Sequence, residues 1–338
     1  MKMYLKDEWV DSPKMVPVLA PYSGEVIDEA PEAEPAQIET ALAAAERGAE
    51  AMARLSAAER LSILNRAADL VEENLEDLAR TVSLEEGKPI SEAVGEVSRT
   101  PDLLRLSAFE GTQIRGETLP LDAQAGAKGK LGFTMRVPCG IVVAITPFNY
   151  PVLLVAHKIG PALAAGNAVI LKPAHQTPLS ALKLTRLLVE AGLPESSFQC
   201  LTGSGEGVGA PLCRDSRVRK ISFTGSSAVG EKITRMAGIK KLSLELGSNC
   251  CMVVMPDADL DQVAQATVTG GYVNAGQVCI STQRVVVHRR AYSEFLDALV
   301  PRVEQLKIGD PLRDGTQLSS MISETAAKKV SQWICEAV

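Results

Sequence analysis

The chain has 338 residues, 46% of them hydrophobic and 22% charged, with a formal net charge of -6. That length supports a large buried core and about two domains, and the scattered basic residues of an acidic chain argue against a nucleic-acid partner. Seven cysteines without regular spacing argue against a disulfide framework and for a reducing compartment, expected to be the cytoplasm, while three histidines and no C-x-x-C leave no expected metal site.

The first residues, Met1 to Asp7, contain no apolar signal core. Short β-like runs broken by Pro and Gly follow to about residue 35. Ser56-Ala57-Ala58-Glu59 has the pattern of a capping box, and Leu61, Leu64, Ala68, Val71, Leu75 and Leu78 recur in steps of three and four, predicting a helix with one buried face. Residues 113–135 are Gly-rich and lack helical period, which predicts a hairpin leaving the main body. Residues 137–157 carry no Lys, Arg, Asp or Glu, but Pro138, Gly140, Pro147, Asn149 and Pro151 interrupt them. They read as buried strand, turn and helix start, not as a membrane span.

From residue 140 short apolar runs alternate with helices. Strands are predicted at 141–146, 168–172, 198–202, 218–224 and 242–246, with helices starting near Pro151, Pro178, Gly207 and Ala228. This βαβα alternation predicts a doubly wound parallel sheet. Ligands in such sheets bind beyond the carboxyl ends of the strands, where Asn149, Lys172, Gly225 and Glu245 all stand. A second unit is predicted from Gly247: strand 252–255, helix 259–274, strand 284–288, helix 292–306, and a last helix from Glu324 to Val338 with no Gly or Pro stop signal. The predicted division is therefore 1–112 with 136–246, a hairpin at 113–135, and 247–338.

Cys279 lies in Gly276-Gln277-Val278-Cys279-Ile280-Ser281, at the end of the Gly-rich predicted helix. Its neighbours are poor core formers, so the thiol is expected to be exposed in a crevice, where nearby dipoles lower its pKa. Glu245 closes the apolar run Leu242 to Leu246. Such a carboxylate either faces water at a sheet edge or is a partly desolvated general base with a raised pKa. Asn149, between Pro147 and Pro151, reads by itself as a turn residue, and Lys172 by itself as a strand-end surface lysine. Phe223-Thr224-Gly225-Ser226 leads from a strand into a helix whose free N–H groups suit a pyrophosphate. Gly203-Ser204-Gly205-Glu206-Gly207 is a flexible turn near an adenine or a plain loop.

The Cys279 segment, Leu244-Glu245-Leu246-Gly247 and Thr146-Pro147-Phe148-Asn149 closely resemble the aldehyde dehydrogenase superfamily, and the resemblance runs from about Leu5 to the last residue. It implies a Rossmann-like coenzyme domain with an oligomerisation hairpin, followed by an incomplete second α/β catalytic domain. It also implies a homo-oligomer for a full-length protein, with neither nucleic-acid nor membrane partners. By resemblance Cys279 attacks the aldehyde, Glu245 activates water and Asn149 holds the oxyanion. NAD or NADP is then held by Thr146, Pro147, Lys172, His175, Gly205, Phe223, Thr224, Gly225, Ser226 and Leu246. Among these, the resemblance implies that Lys172 binds the adenosine ribose hydroxyls. Ser248 stands where the family usually has a second glycine, and His175 where it usually has a glutamate that pairs with the ribose 2′-hydroxyl and repels a 2′-phosphate, which leaves the choice of coenzyme open. Tyr150, Arg99, Val278 and Ile280 are the expected substrate contacts. Segments 136–157 and 276–281 most resemble the lactaldehyde and non-phosphorylating glyceraldehyde-3-phosphate branches, while Val278 replaces the arginine of phosphate-using members. The expected substrate is a small hydroxyaldehyde or semialdehyde.

Three competing readings are a CoA-acylating enzyme, a cysteine hydrolase using His288, and an inactive fragment or nucleotide-binding remnant. Glu245 argues against the first. The last follows from the C-terminus. Family members continue past Val338 with a Glu-x-Phe-Gly-Pro-like segment and further strands, so the chain is expected to be truncated, with unpaired strand edges.

Overall fold

The computed structural model describes residues 1–337. Its secondary structure follows the apolar pattern closely. In chain order the elements are β1 (Met3–Leu5), β2 (Glu8–Val10), β3 (Met15–Leu19), β4 (Val26–Pro31), α1 (Pro35–Arg54), α2 (Ala57–Glu73), α3 (Leu75–Glu86), α4 (Ile90–Thr112), β5 (Thr118–Leu119) and β6 (Gly132–Phe133). There follow β7 (Ile141–Ile145), α5 (Leu153–Ala164), β8 (Ala168–Lys172), α6 (Leu179–Glu190), β9 (Phe198–Cys200), α7 (Ala210–Arg214), β10 (Val218–Thr224), α8 (Ser227–Met236) and β11 (Lys241–Glu245). The last part holds β12 (Cys250–Val254), α9 (Leu260–Tyr272), β13 (Thr282–Val287), α10 (Tyr292–Glu304) and α11 (Glu324–Ala337). The sequence carries α11 one residue further, to Val338, which lies outside the described residues.

The main sheet runs β11-β10-β7-β8-β9-β1-β2. Its first five strands are parallel, and β1 and β2 add an antiparallel edge. Strands β7 and β8 are buried along their whole length, Lys172 at the end of β8 included, as near-continuous apolar runs covered on both faces are. One contiguous core joins this sheet to α1–α6. A separate pair, β12 and β13, runs parallel beside α9 and α10.

The predicted capping box forms. Ser56 Oγ accepts the Glu59 N–H at 3.2 Å, and the Glu59 carboxylate accepts the Ser56 N–H at 2.7 Å. The single helix predicted through Leu61 and Leu78 is two helices. Asn74 breaks it with φ -110° and ψ 18°, and its side-chain amide donates to the Leu70 carbonyl at 2.8 Å. An Asn side chain that satisfies the last helical carbonyls competes with helix continuation, while the apolar rhythm carries on across the break. The hairpin at 113–135 is present in short form, with Thr118 opposite Phe133 and Leu119 opposite Gly132.

Among the described residues no helix is long and apolar enough to cross a membrane. Among them, too, no group of three or more His, Cys, Asp or Glu side chains is arranged to hold a metal ion. All seven cysteines are free thiols.

Candidate active site

Sheet register brings the strand ends level. Lys172 pairs with Ile145, Ile145 with Phe223, Phe223 with Leu244, and Thr224 with Glu245. The last residues of β8, β7, β10 and β11 therefore form one row across the carboxyl edge of the sheet. Just past the row, the Gly225 N–H donates to the Glu245 carbonyl at 3.0 Å. A Cβ on Gly225 would come within 2.5 Å of the Phe223 ring, so this close turn requires glycine.

Cys279 and Glu245 line one cleft of about 740 Å³ together with Thr224, Ser243, His157 and Lys158. The thiol is exposed, as expected, but it does not lie on a helix. Helix α9 ends at Tyr272, and Asn274, Ala275 and Gly276 then take φ of 51°, 53° and 75°. Three left-handed residues in succession end the helix and turn the chain so that Cys279 sits in a tight bend, closed by the Ser281 N–H on the Val278 carbonyl at 3.0 Å. Asn274 is buried and anchors this bend. Its N–H donates to Glu92 at 2.9 Å and its side-chain amide to Glu86 at 2.8 Å. On the far side the Ser248 hydroxyl donates to the Cys279 carbonyl.

Glu245 corrects one expectation. It is exposed at the end of an edge strand, so its carboxylate faces the cleft in contact with solvent instead of being desolvated. The sheet ends at β11, and a terminal residue there is covered from one side only.

Asn149 is buried, and its Nδ2 donates to the Gln277 carbonyl at 2.7 Å, two residues ahead of Cys279. Its Oδ1 is buried without a partner. The Lys88 ammonium holds the Asn149 backbone carbonyl, pairs with Glu96 at 2.8 Å and lies 4.0 Å above the centre of the Tyr150 ring. Tyr150 thus packs half-buried against Lys88, and burial raises its phenol above the ordinary value. Arg99 is exposed on α4, with Nε donating to the Gly95 carbonyl at 2.9 Å. The two residues flanking Cys279 differ: Val278 is buried and Ile280 is 76% exposed.

The residues expected to hold a dinucleotide cluster on the same edge. Thr146 is buried with its hydroxyl unpartnered, and Pro147 beside it is half-buried. Lys172 is buried, and burial pushes its ammonium down to about 8. His175 is also pushed below its ordinary value, first by burial and then by the neighbouring Lys172 charge. Ser226 caps α8, accepting the Val229 N–H at 3.4 Å. Leu246 packs partly buried against the core. Gly205 opens a wide helical turn over Gly205–Gly209 and lines an apolar cavity of about 340 Å³ with Val229 and Ile233. An unpartnered hydroxyl, a buried lysine and a helix N-terminus beside an apolar cavity fit a dinucleotide.

Lys158 was not foreseen. It is buried on α5, its Nζ lies 3.4 Å from the Ser222 hydroxyl, and it lines the cleft with Cys279. Burial pushes it down to about 8. The available signal was a charge within the otherwise apolar run Leu153 to Ala164. His288 accepts the Arg290 N–H at 3.2 Å, and the histidine that shares the cleft with Cys279 is His157.

Comparison with known proteins gives a consistent result. A model of the aldehyde dehydrogenase family matches residues 9–338. A 3-sulfolactaldehyde dehydrogenase of Priestia aryabhattai is 42% identical over 336 residues, covering 99% of this chain and 70% of that protein. The succinate-semialdehyde dehydrogenase [NADP(+)] of Escherichia coli K12 is 38% identical over 338 residues, covering 99% of this chain and 69% of that protein. Among solved structures, PnpE in complex with nicotinamide adenine dinucleotide superposes with a TM-score of 0.95 at 33% identity, covering 98% of this chain and 68% of that one.

Proposed function

Because the chain belongs to the aldehyde dehydrogenase family, we propose that it oxidises a small aldehyde to the carboxylic acid with NAD or NADP, using Cys279 as nucleophile. The observation that carries this reading is the shared cleft of Cys279 and Glu245 at the level row of strand ends. The Cys279 thiolate adds to the carbonyl carbon and creates an oxyanion. Asn149 spends one of its two amide hydrogens on Gln277 and has the other for that oxygen. The bound dinucleotide supplies the hydride acceptor. Loss of hydride leaves a thioester on Cys279. Glu245, wetted by the cleft, takes a proton from the attacking water, and collapse of the resulting adduct expels the thiolate.

Thr146, Pro147, Lys172, His175, Gly205, Phe223, Thr224, Gly225, Ser226 and Leu246 form the proposed coenzyme site. Tyr150, Arg99, Val278 and Ile280 are the proposed substrate contacts. Of these, exposed Ile280 and Arg99 have the freest access, and buried Val278 acts through packing. Relatives named for 3-sulfolactaldehyde and succinate semialdehyde support a small hydroxyaldehyde or semialdehyde. We assign the coenzyme unit to 1–112 with 136–246 and the catalytic unit to 247–338. The hairpin at 113–135 is assigned to self-association, on account of its exposed Leu131, Phe133 and Met135.

The test is formation of reduced nicotinamide from lactaldehyde and succinate semialdehyde by the chain and by Cys279→Ala. Turnover that depends on the thiol is expected. Equal turnover by the variant would refute the mechanism.

A further inference from the structure

The proposed coenzyme site contains an acid that comes from neither of the expected motifs. Glu32 directly follows β4. Its Oε1 accepts the Ser204 N–H at 3.3 Å, and its Oε2 pairs with Lys14 from the residue before β3. The Glu32 side chain is 17% exposed and that of Lys14 is 69% exposed, so the acid is the more enclosed member of an ion pair that lines one cavity. Glu32 lines a cavity of about 380 Å³ with His175, Thr202, Gly203 and Ser204. The chain passes from this cavity to the apolar one between Ser204 and Gly205. Lys172 lies at the same junction, with its side chain 3.8 Å from where a Cβ on Gly209 would stand.

The Lys14 hydrogen bond, more than any other contact, holds the Glu32 carboxyl below the ordinary carboxylate range. Its negative charge acts on both Lys172 and His175, the two residues expected to face the adenosine ribose. His175 is held toward its neutral form and has little charge to offer a phosphate.

We propose that Glu32 is the specificity-determining residue of this site and selects NAD over NADP. A carboxylate accepts a hydrogen bond from a ribose 2′-hydroxyl and repels a 2′-phosphate. Position 175, where the family usually has its glutamate, holds a histidine, and the acid is instead delivered from the N-terminal segment. The inference rests on the assignment of Lys172 and His175 to the ribose end of the coenzyme.

Calorimetric titration of the whole chain with 5′-AMP and with adenosine 2′,5′-bisphosphate tests this without any turnover. Wild type is expected to bind 5′-AMP more tightly. Glu32→Gln should tighten the bisphosphate by about tenfold and leave 5′-AMP unchanged to within about twofold, the effect of one unit charge at short range in a partly solvated site. Lys14→Met, which leaves Glu32 uncompensated, should weaken the bisphosphate selectively. A structural disturbance would move both nucleotides together. Unchanged nucleotide preference in both variants, or a wild-type preference for the bisphosphate, overturns the role of Glu32. Failure of wild type to bind either nucleotide overturns the coenzyme-site assignment itself.

Discussion

At the scale of single residues, the site depends on one amide doing two things. The Asn149 side chain tethers the Cys279 bend through Gln277 and keeps a second amide hydrogen, which we propose serves the substrate oxygen. Asn149→Ala should lower kcat by about 100- to 1,000-fold, the usual cost of removing an oxyanion donor. Nucleotide affinity measured by titration should stay unchanged, and a loss under about tenfold would count against the role. The types of these residues could be read from the sequence because Cys279, Glu245 and Asn149 sit in distinctive local strings. The exposure of Cys279 followed from its poor core-forming neighbours, but that of Glu245 could not be read. Whether Glu245 is wet depends on β11 being the sheet's edge, a property of strand order. Lys158 and Glu32 stayed hidden for a related reason. Each gains its meaning from neighbours far along the chain, Ser222 for one and Ser204 for the other.

At the scale of elements, the turn between α3 and α4 braces the site from beneath. Glu85 and Glu86 at the end of α3, Lys88 in the turn and Glu96 on α4 are all fully buried. Glu85 receives the first N–H groups of α6, from Leu179 at 2.7 Å and Ser180 at 3.0 Å, and Glu96 those of Val152 and Leu153 at 2.8 and 3.0 Å. Carboxylates at helix starts satisfy donors that the helix leaves free. Burial pushes the Glu85 carboxyl up to about 7 and that of Glu86 up to about 8. Both keep protons in the folded chain that the unfolded chain releases near 4.5. Their contribution to stability is therefore complete below that value and is lost as pH rises through about 7 to 8. The urea midpoint should fall across this window, and Glu86→Gln, which keeps the acceptor for Asn274, should flatten the fall. An identical slope in the variant would exclude Glu86 as a source. Upstream of this turn, the helix start at Ser56 and the buried face from Leu61 to Leu78 were legible from a cap pattern and an apolar rhythm, whereas α4 was not foreseen. The break at Asn74 and the left-handed run before Cys279 were not, because apolar rhythm reports which face is buried and not where the backbone turns.

At the scale of the whole molecule, the βαβ rhythm of residues 140–246 was enough to predict a parallel sheet with its ligands at one edge. The antiparallel addition of β1 and β2 was not legible, since the pairing of Tyr4 with Cys200 that joins them to the sheet leaves no local trace. The hairpin extends from this body with Leu131 79% and Phe133 64% exposed. Large apolar side chains on and just before a two-residue strand cannot be buried by the hairpin alone, so a second copy of the chain is their expected cover. Size-exclusion chromatography with light scattering should give an assembly for the wild type and a smaller species for Leu131→Lys with Phe133→Lys. The same mass for both would remove the hairpin from the interface. A last consequence follows from the amide of Gly225, which is hydrogen-bonded to the carbonyl of Glu245. Neither end of this tether travels alone. A nucleotide seated on the Gly225 turn, as proposed, would bear through that amide on the tip of β11 and so on the pose of the acid.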